Sequence, residues 1–221
     1  GLQRFEETAG QPDRDDVAMP LAQATTGLAV GAVVFVILWL NLRLSLRQLK
    51  RREFAIATPE GPRVITVETG RLRSIVYAAA LIAAVLMGLF SASSWATWLY
   101  AIHATPFGKT DPVLGRDIAF YLFRLPLLEL LHGIALTTVI LTIVGVAGSH
   151  VAAGNLALDP LRGVLGSPGA TRHLSLLSAV LLVILAFGAW LKIPHLLTEQ
   201  SGVVFGASYV DVHARMPAYR L

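Results

Sequence analysis

Four stretches of the chain are apolar and almost free of charge over a length that matters. The first, TTGLAVGAVVFVILWLNLRL, starts at Thr25 and meets no charge before Arg43. At about 1.5 Å per helical residue it is long enough to cross a hydrocarbon core of about 30 Å. The second, SIVYAAALIAAVLMGLFSASSW, follows Arg73 and is rich in alanine, which lets helices approach closely in lipid. The third, PLLELLHGIALTTVILTIVGVAGSHVAAG, opens with Pro126 in a position suited to a helix's first turn. It carries one charge, Glu129, near its start, and offers Gly133, Gly145 and Gly148 as small packing positions. The fourth, HLSLLSAVLLVILAFGAWLK, lies between Arg172 and Lys192, with Trp190 near one end as an interfacial anchor. We call these spans A to D, over 25–42, 74–94, 126–151 and 173–192. A soluble helical core would show a polar stripe at the 3.6-residue period, and these segments show none. The pattern predicts an all-α, polytopic transmembrane bundle of about four spans plus interfacial helices.

Composition strengthens this reading. Of 221 residues, 55% are hydrophobic and 14% charged, against about a quarter charged in soluble domains. The chain has no cysteine, so thiolate chemistry and disulfides are excluded within it. The net charge of +4 does not point to nucleic acid, because eight basic residues gather between Arg43 and Arg73 against Glu53, Glu60 and Glu68. Such a loop is expected on the cytoplasmic side of a bacterial plasma membrane. By alternation the polar lead-in 1–24, the loop 95–125 and the tail 194–221 are expected outside, and residues 154–172 inside. Within the basic loop, FAIATPEGPRVITVETG places β-branched residues around a Pro-Glu-Gly-Pro turn, which leaves a small hairpin and an irregular loop both open.

Candidate chemistry concentrates in the outer loop. Trp95, Trp98, Leu99 and Ile102 fall on one helical face and predict an interfacial helix. Gly108-Lys109-Thr110 imitates a phosphate-binding loop, but the earlier glycine would fall at His103, so no nucleotide is expected. In the run from Phe107 to Asp117, Asp111, Arg116 and Asp117 suit a salt bridge that pins the loop; an outward cation site is the alternative. IAFYLFRLP is expected along the interface, leading into span C.

A histidine inside a membrane span can ligate a pigment or haem. His132 and His150 lie 18 residues apart on span C, so about 27 Å apart along the axis and at opposite membrane surfaces. Interfacial polar roles fit them more simply than cofactor ligation. In the tail, Asp211 and His213 at i, i+2 share one face of a strand and could ligate a metal, with Glu199 the nearest third donor; loop hydrogen bonds are the simpler role. No span has a charge near its middle, which disfavours a self-contained pump or channel.

The strings ATPFGKTDPVLGRDIAFYLFRLP (104–126) and GASYVDVHARMPAYRL (206–221), with Asn41-Leu42-Arg43-Leu44 after span A, resemble motifs of Uncharacterised Protein Family 0182. That family comprises large bacterial proteins with about seven N-terminal spans and a big extracytoplasmic domain. The resemblance covers nearly the whole chain, from the family's second span to the loop before its sixth. It implies the same topology and supplies no reaction, cofactor or catalytic residue. The first span, the last two and the outer domain are not in this sequence, which reads as part of a longer protein or as a shortened member. The expected role is a non-enzymatic membrane scaffold or accessory subunit, with lipid and other membrane subunits as partners. A transport or envelope component completed by further helices is the alternative, and a haem- or chlorophyll-binding protein a third.

Overall fold

The computed structural model describes residues 14–47, 52–58, 61–67, 69–159, 163–198, 200–201, 204–205 and 207–219. Its frame is four long helices that are each long and apolar enough to cross a membrane. Helix α1 (Arg14–Leu46) contains span A, and the hairpin of β1 (Arg52–Thr58) and β2 (Gly61–Val67) follows it. Helix α2 (Thr69–Ser93) is span B, and the short α3 (Trp95–Ile102) lies where an interfacial helix was expected. Helix α4 (Leu125–Ala152) is span C. A second hairpin, β3 (Leu156–Asp159) with β4 (Gly163–Gly166), leads to α5 (Pro168–His195), which is span D. A third small pair, β5 (Gln200–Ser201) with β6 (Val204–Phe205), precedes the last turn, α6 (Met216–Ala218).

Among the described residues all three strand pairs are antiparallel and local, and the membrane frame is helical. The basic loop is the hairpin alternative, with Arg52 opposite Val67 and Thr58 opposite Gly61. Its Pro59-Glu60 turn lies outside the described residues. So do residues 1–13 of the polar lead-in, but from Arg14 onward the chain is already helical. Ala18, Leu21, Ala22 and Ala24 are good helix formers, and they carry the helix past Pro20, which lies inside it and removes the donor that would reach the Asp16 carbonyl.

Small residues set the closest helix contact. On α1, Gly27 and Gly31 face Ala84, Gly88 and Ala92 of α2, and a Cβ on Gly88 would lie 2.7 Å from the Gly27 carbonyl oxygen. This Gly-x-x-x-Gly pair lets two backbones approach without side chains between them, the usual means of packing where lipid is as apolar as leucine. Of the glycines expected to serve packing on span C, only Gly145 does so, against Leu42; Gly133 and Gly148 face open space. The buried core joins Val34, Leu38 and Leu42 of α1 to Ala80 and Ala84 of α2, Ile134 and Val146 of α4 and Leu177 of α5. Elsewhere the helices show leucine, isoleucine and valine outward, as a surface solvated by lipid should.

Two short π-helical turns, Phe120–Arg124 and Asp211–Arg215, stand directly before Leu125-Pro126 and Met216-Pro217. In each the backbone N–H just before the proline reaches back five residues, from Leu125 to Phe120 and from Met216 to Asp211. Proline has no N–H and its ring crowds the carbonyl four residues earlier, so a wider turn relieves the conflict. IAFYLFRLP is therefore wound into the start of α4, where an interfacial stretch was expected.

Candidate functional site

At the end of the bundle away from the β1–β2 hairpin, the loop 103–124, the end of α5 and the tail 207–219 fold onto one another. Aspartates organise both segments. The Asp111 carboxylate accepts the backbone N–H groups of Val113 (2.7 Å), Leu114 (2.7 Å) and Arg116 (3.0 Å) and the Tyr121 hydroxyl (2.6 Å). Pro112 follows it with a fixed φ, and Gly115 takes the left-handed conformation at φ 67° that closes the turn. Asp117 accepts from the N–H groups of Phe107 (3.1 Å), Gly108 (2.8 Å) and Ala119 (2.8 Å), and its backbone pairs with Thr110 in an isolated bridge. Gly108, at φ 71°, makes the other turn. Asp211 repeats the device in the tail, accepting from the Ser208 N–H (2.8 Å), the Ser208 hydroxyl (2.7 Å) and Arg215 Nη1 (3.1 Å).

These bonds set the ionisation of the carboxyls. Partial burial pushes Asp111 up, but the Tyr121 hydroxyl and the N–H groups of Leu114, Arg116 and Val113 outweigh it and hold the group below its ordinary range. The N–H groups of Ala119, Phe107 and Gly108 hold Asp117 low against a small opposing effect of burial. Asp211 is lowered first by Ser208, through its hydroxyl and its N–H, and then by Arg215.

The expected salt bridge around Arg116 is corrected by this geometry. Its guanidinium lies over the Phe120 ring at 4.3 Å and the Trp190 ring at 5.4 Å, a cation–π stack that ties the loop to α5. The carboxylates are taken by backbone N–H groups because the turn points several of them at one place, and these cost no side-chain entropy to hold. The outward cation site has no support either, since the oxygens already have donors.

Beneath the loop, Ile193, Leu196 and Met216 form a small core separate from the main one, and Leu114, Leu197 and Tyr219 pack against it. Phe107 and Tyr100 both lean on Phe123, at 6.1 and 6.3 Å between ring centres, which joins α3 to the loop. Trp95 and Trp98 of α3 are half-buried rather than presented outward. His195 Nδ1 and Glu129 Oε1, 2.7 Å apart, tie the end of α5 to the start of α4.

The model of the Uncharacterised protein family (UPF0182) matches residues 17–221. The chain belongs to this family. A UPF0182 protein of Pelobacter propionicus is 35% identical over 208 residues, which cover 90% of this chain and 22% of that protein. One from Geobacter sp. strain M21 is 34% identical over 90% of this chain and 22% of its own length, and one from Cupriavidus necator 38% over 89% and 22%. The chain therefore spans about a fifth of the length of these curated relatives. No solved structure matches it. The two strings that carry the UPF0182 resemblance, 104–126 and 206–221, are the loop and tail that meet at this end of the bundle.

The remaining sites of this UPF0182 member stand differently from expectation. Asp211 and His213 sit in a π-helical turn, not a strand, and do not converge: Asp211 is buried on Ser208 and Arg215, while His213 stacks on Tyr209 at 4.0 Å and shares Nδ1 with the Tyr209 carbonyl. Glu199 lies outside the described residues. His132 packs against α5. Its Nε2 is 3.2 Å from the Ile184 carbonyl oxygen, and its ring fills the notch left by Gly188, where a Cβ would come within 2.4 Å of it. His150 is buried, 2% exposed, and lies beside His173 at 5.8 Å between ring centres. Pigment ligation gains no support at either position, because the lateral grooves between helices, about 580 and 330 Å³, are lined by neither histidine. No local spacing in the sequence links His150 with His173, which lies on the next long helix, or His173 with Asn41, 132 residues away.

Proposed function

We propose that this multi-pass membrane protein of the UPF0182 family acts as a non-enzymatic scaffold, an accessory subunit whose outer platform carries partner subunits. One observation carries the reading: Asp111, Asp117 and Asp211, the carboxylates of the two family-marking segments, are spent as acceptors that hold backbone in shape. A surface stiffened in this way presents Tyr209, Val210 and Phe107 outward, and exposed aromatic and aliphatic groups on a rigid frame suit protein contact. The same reading puts the chain in a bacterial plasma membrane with the β1–β2 hairpin in the cytoplasm, supported by the basic residues between Arg43 and Arg73.

The test is native purification from detergent with mass spectrometry of what stays bound. Wild type is expected to retain a stoichiometric membrane partner that Tyr209→Asp with Val210→Asp releases. A stable lone monomer with nothing co-purifying counts against the scaffold. Sidedness is checked separately, since the chain has no cysteine of its own. Lys109→Cys is expected to react with an impermeant maleimide on intact cells, and Arg47→Cys only after permeabilisation; the opposite pattern overturns the orientation.

A further inference from the structure

In the half of the bundle nearer the β1–β2 hairpin, α1, α2 and α4 enclose a lateral groove of about 330 Å³. Leu38, Leu42 and Leu46 of α1 form its floor, at 3%, 3% and 1% exposed, while Ile75 of α2 and Val144 of α4 stand at its rim, at 60% and 65%. Ser149 is the one polar residue in the lining, and its hydroxyl is turned back to donate to the Gly145 carbonyl at 2.7 Å. The space exists because wall positions such as Ala79, Ala83 and Gly148 are small. A Cβ on Gly148 would meet nothing within 4 Å.

Length and charge identify what fits there. On α4 the lining runs from Leu141 to Ala152, about 16 Å along the axis. A hydrocarbon core of about 30 Å gives each leaflet about 15 Å, so the groove matches one leaflet and not both. A membrane-crossing helix needs a face over the full thickness, and a lipid chain does not. At the hairpin end the apolar lining reaches Leu46 and Leu72, and arginines stand beside both. Arg47 follows Leu46, Arg71 and Arg73 flank Leu72, and all three are exposed. Arg73 Nη2 donates to the Leu46 carbonyl at 3.0 Å, which fixes a guanidinium at that end of the groove. A guanidinium carries five N–H donors, more than this bond uses. Arg71 and Arg73 also lie within the first five residues of α2, whose first turn has no acidic side chain. The helix dipole favours an anion at that end.

We propose that this groove holds an acyl chain of an anionic glycerophospholipid, whose headgroup phosphate is received by Arg47 and Arg73. The leucine floor and alanine wall take the chain out of contact with neighbouring lipid tails, and the open rim lets it enter sideways from the bilayer. Guanidinium forks match phosphate oxygens in pairs. Net charge then selects the lipid. Phosphatidylcholine brings its phosphate with a quaternary ammonium that two arginines repel, whereas phosphatidylglycerol brings its negative charge uncompensated. Basic side chains at headgroup level beside a cleft between helices are the usual means of holding an anionic lipid.

The experiment uses the whole protein in detergent, titrated with phosphatidylglycerol or phosphatidylcholine and read by native mass spectrometry. One phosphatidylglycerol per chain is expected, retained about 30-fold more tightly than phosphatidylcholine if each arginine contributes as basic groups at a membrane surface do. Arg47→Gln with Arg73→Gln should erase that preference, and Gly148→Leu should abolish retention by filling the groove. Lys109→Gln, exposed at the other end of the bundle, should change neither. Equal retention of both lipids by wild type means unselective boundary lipid only and overturns the proposal. So does a preference that survives the Arg47→Gln, Arg73→Gln pair, retention that survives Gly148→Leu, or a second protein chain bound in the lipid's place. Should the variants fail to fold, wild type decides by its salt dependence. Its preference should shrink as ionic strength rises from about 0.1 to about 1 M, and a preference indifferent to salt overturns the assignment to the arginines.

Discussion

Asp111 and Asp117 each gather three backbone N–H groups onto one carboxylate, and that choice makes the outer loop sensitive to acid. Because the folded carboxyls sit below their ordinary range, the unfolded loop takes up protons first as the pH falls. Their contribution is complete above the unfolded value of about 3.9 and is lost as the pH drops through the lower folded values. Hydrogen exchange at Val113, Leu114 and Gly108, corrected for intrinsic rates, should therefore be flat from pH 7 to about 5 and rise below about pH 4; opening near pH 6 would contradict this account. Asp111→Asn replaces an acceptor with a donor facing N–H groups and should cost the loop about 1–3 kcal/mol, read as faster proteolysis between 107 and 117. A second residue-scale test concerns the α4–α5 contact. In Gly188→Ala the new methyl would collide with His132, at 2.4 Å, so thermal stability in detergent should fall by about 1–3 kcal/mol, and His132→Ala in the same chain should restore part of it.

Between elements, the α1–α2 contact depends on missing side chains. Gly88→Val puts bulk against the Gly27 carbonyl and should separate the helices, whereas Gly148→Ala meets nothing within 4 Å and should leave the melting temperature nearly unchanged. A disulfide engineered between Ala24→Cys and Ala92→Cys would report the separation as lost crosslinking in the Gly88→Val background. Elements whose signal is local were legible in the sequence: four long apolar runs became four helices, and Trp95, Trp98, Leu99 and Ile102 marked α3. The β1–β2 hairpin remained one of two readings because alternation over seven residues competes with a dense run of charge. The π-helical turns were not legible, since Arg-Leu-Pro and Arg-Met-Pro announce a proline near a helix start without saying how the preceding turn will widen.

At the scale of the molecule, the sequence by itself determined the solvent. Length without charge decides that each segment leaves water for lipid, because an unpaired charge or open backbone costs several kcal/mol there. The same linear information set the number of spans, and two long motifs set the family. What the side chains of Asp111, Asp117, Asp211, His132 and His150 do was decided only by the tertiary structure. A carboxylate's role depends on which donors the backbone turns toward it, and a histidine's on what another helix brings alongside. Composition predicted ion pairing for Arg116 and an interfacial place for His150. Folding put one over Phe120 and buried the other beside His173, because contact between distant residues is a property of packing that spacing along the chain does not encode.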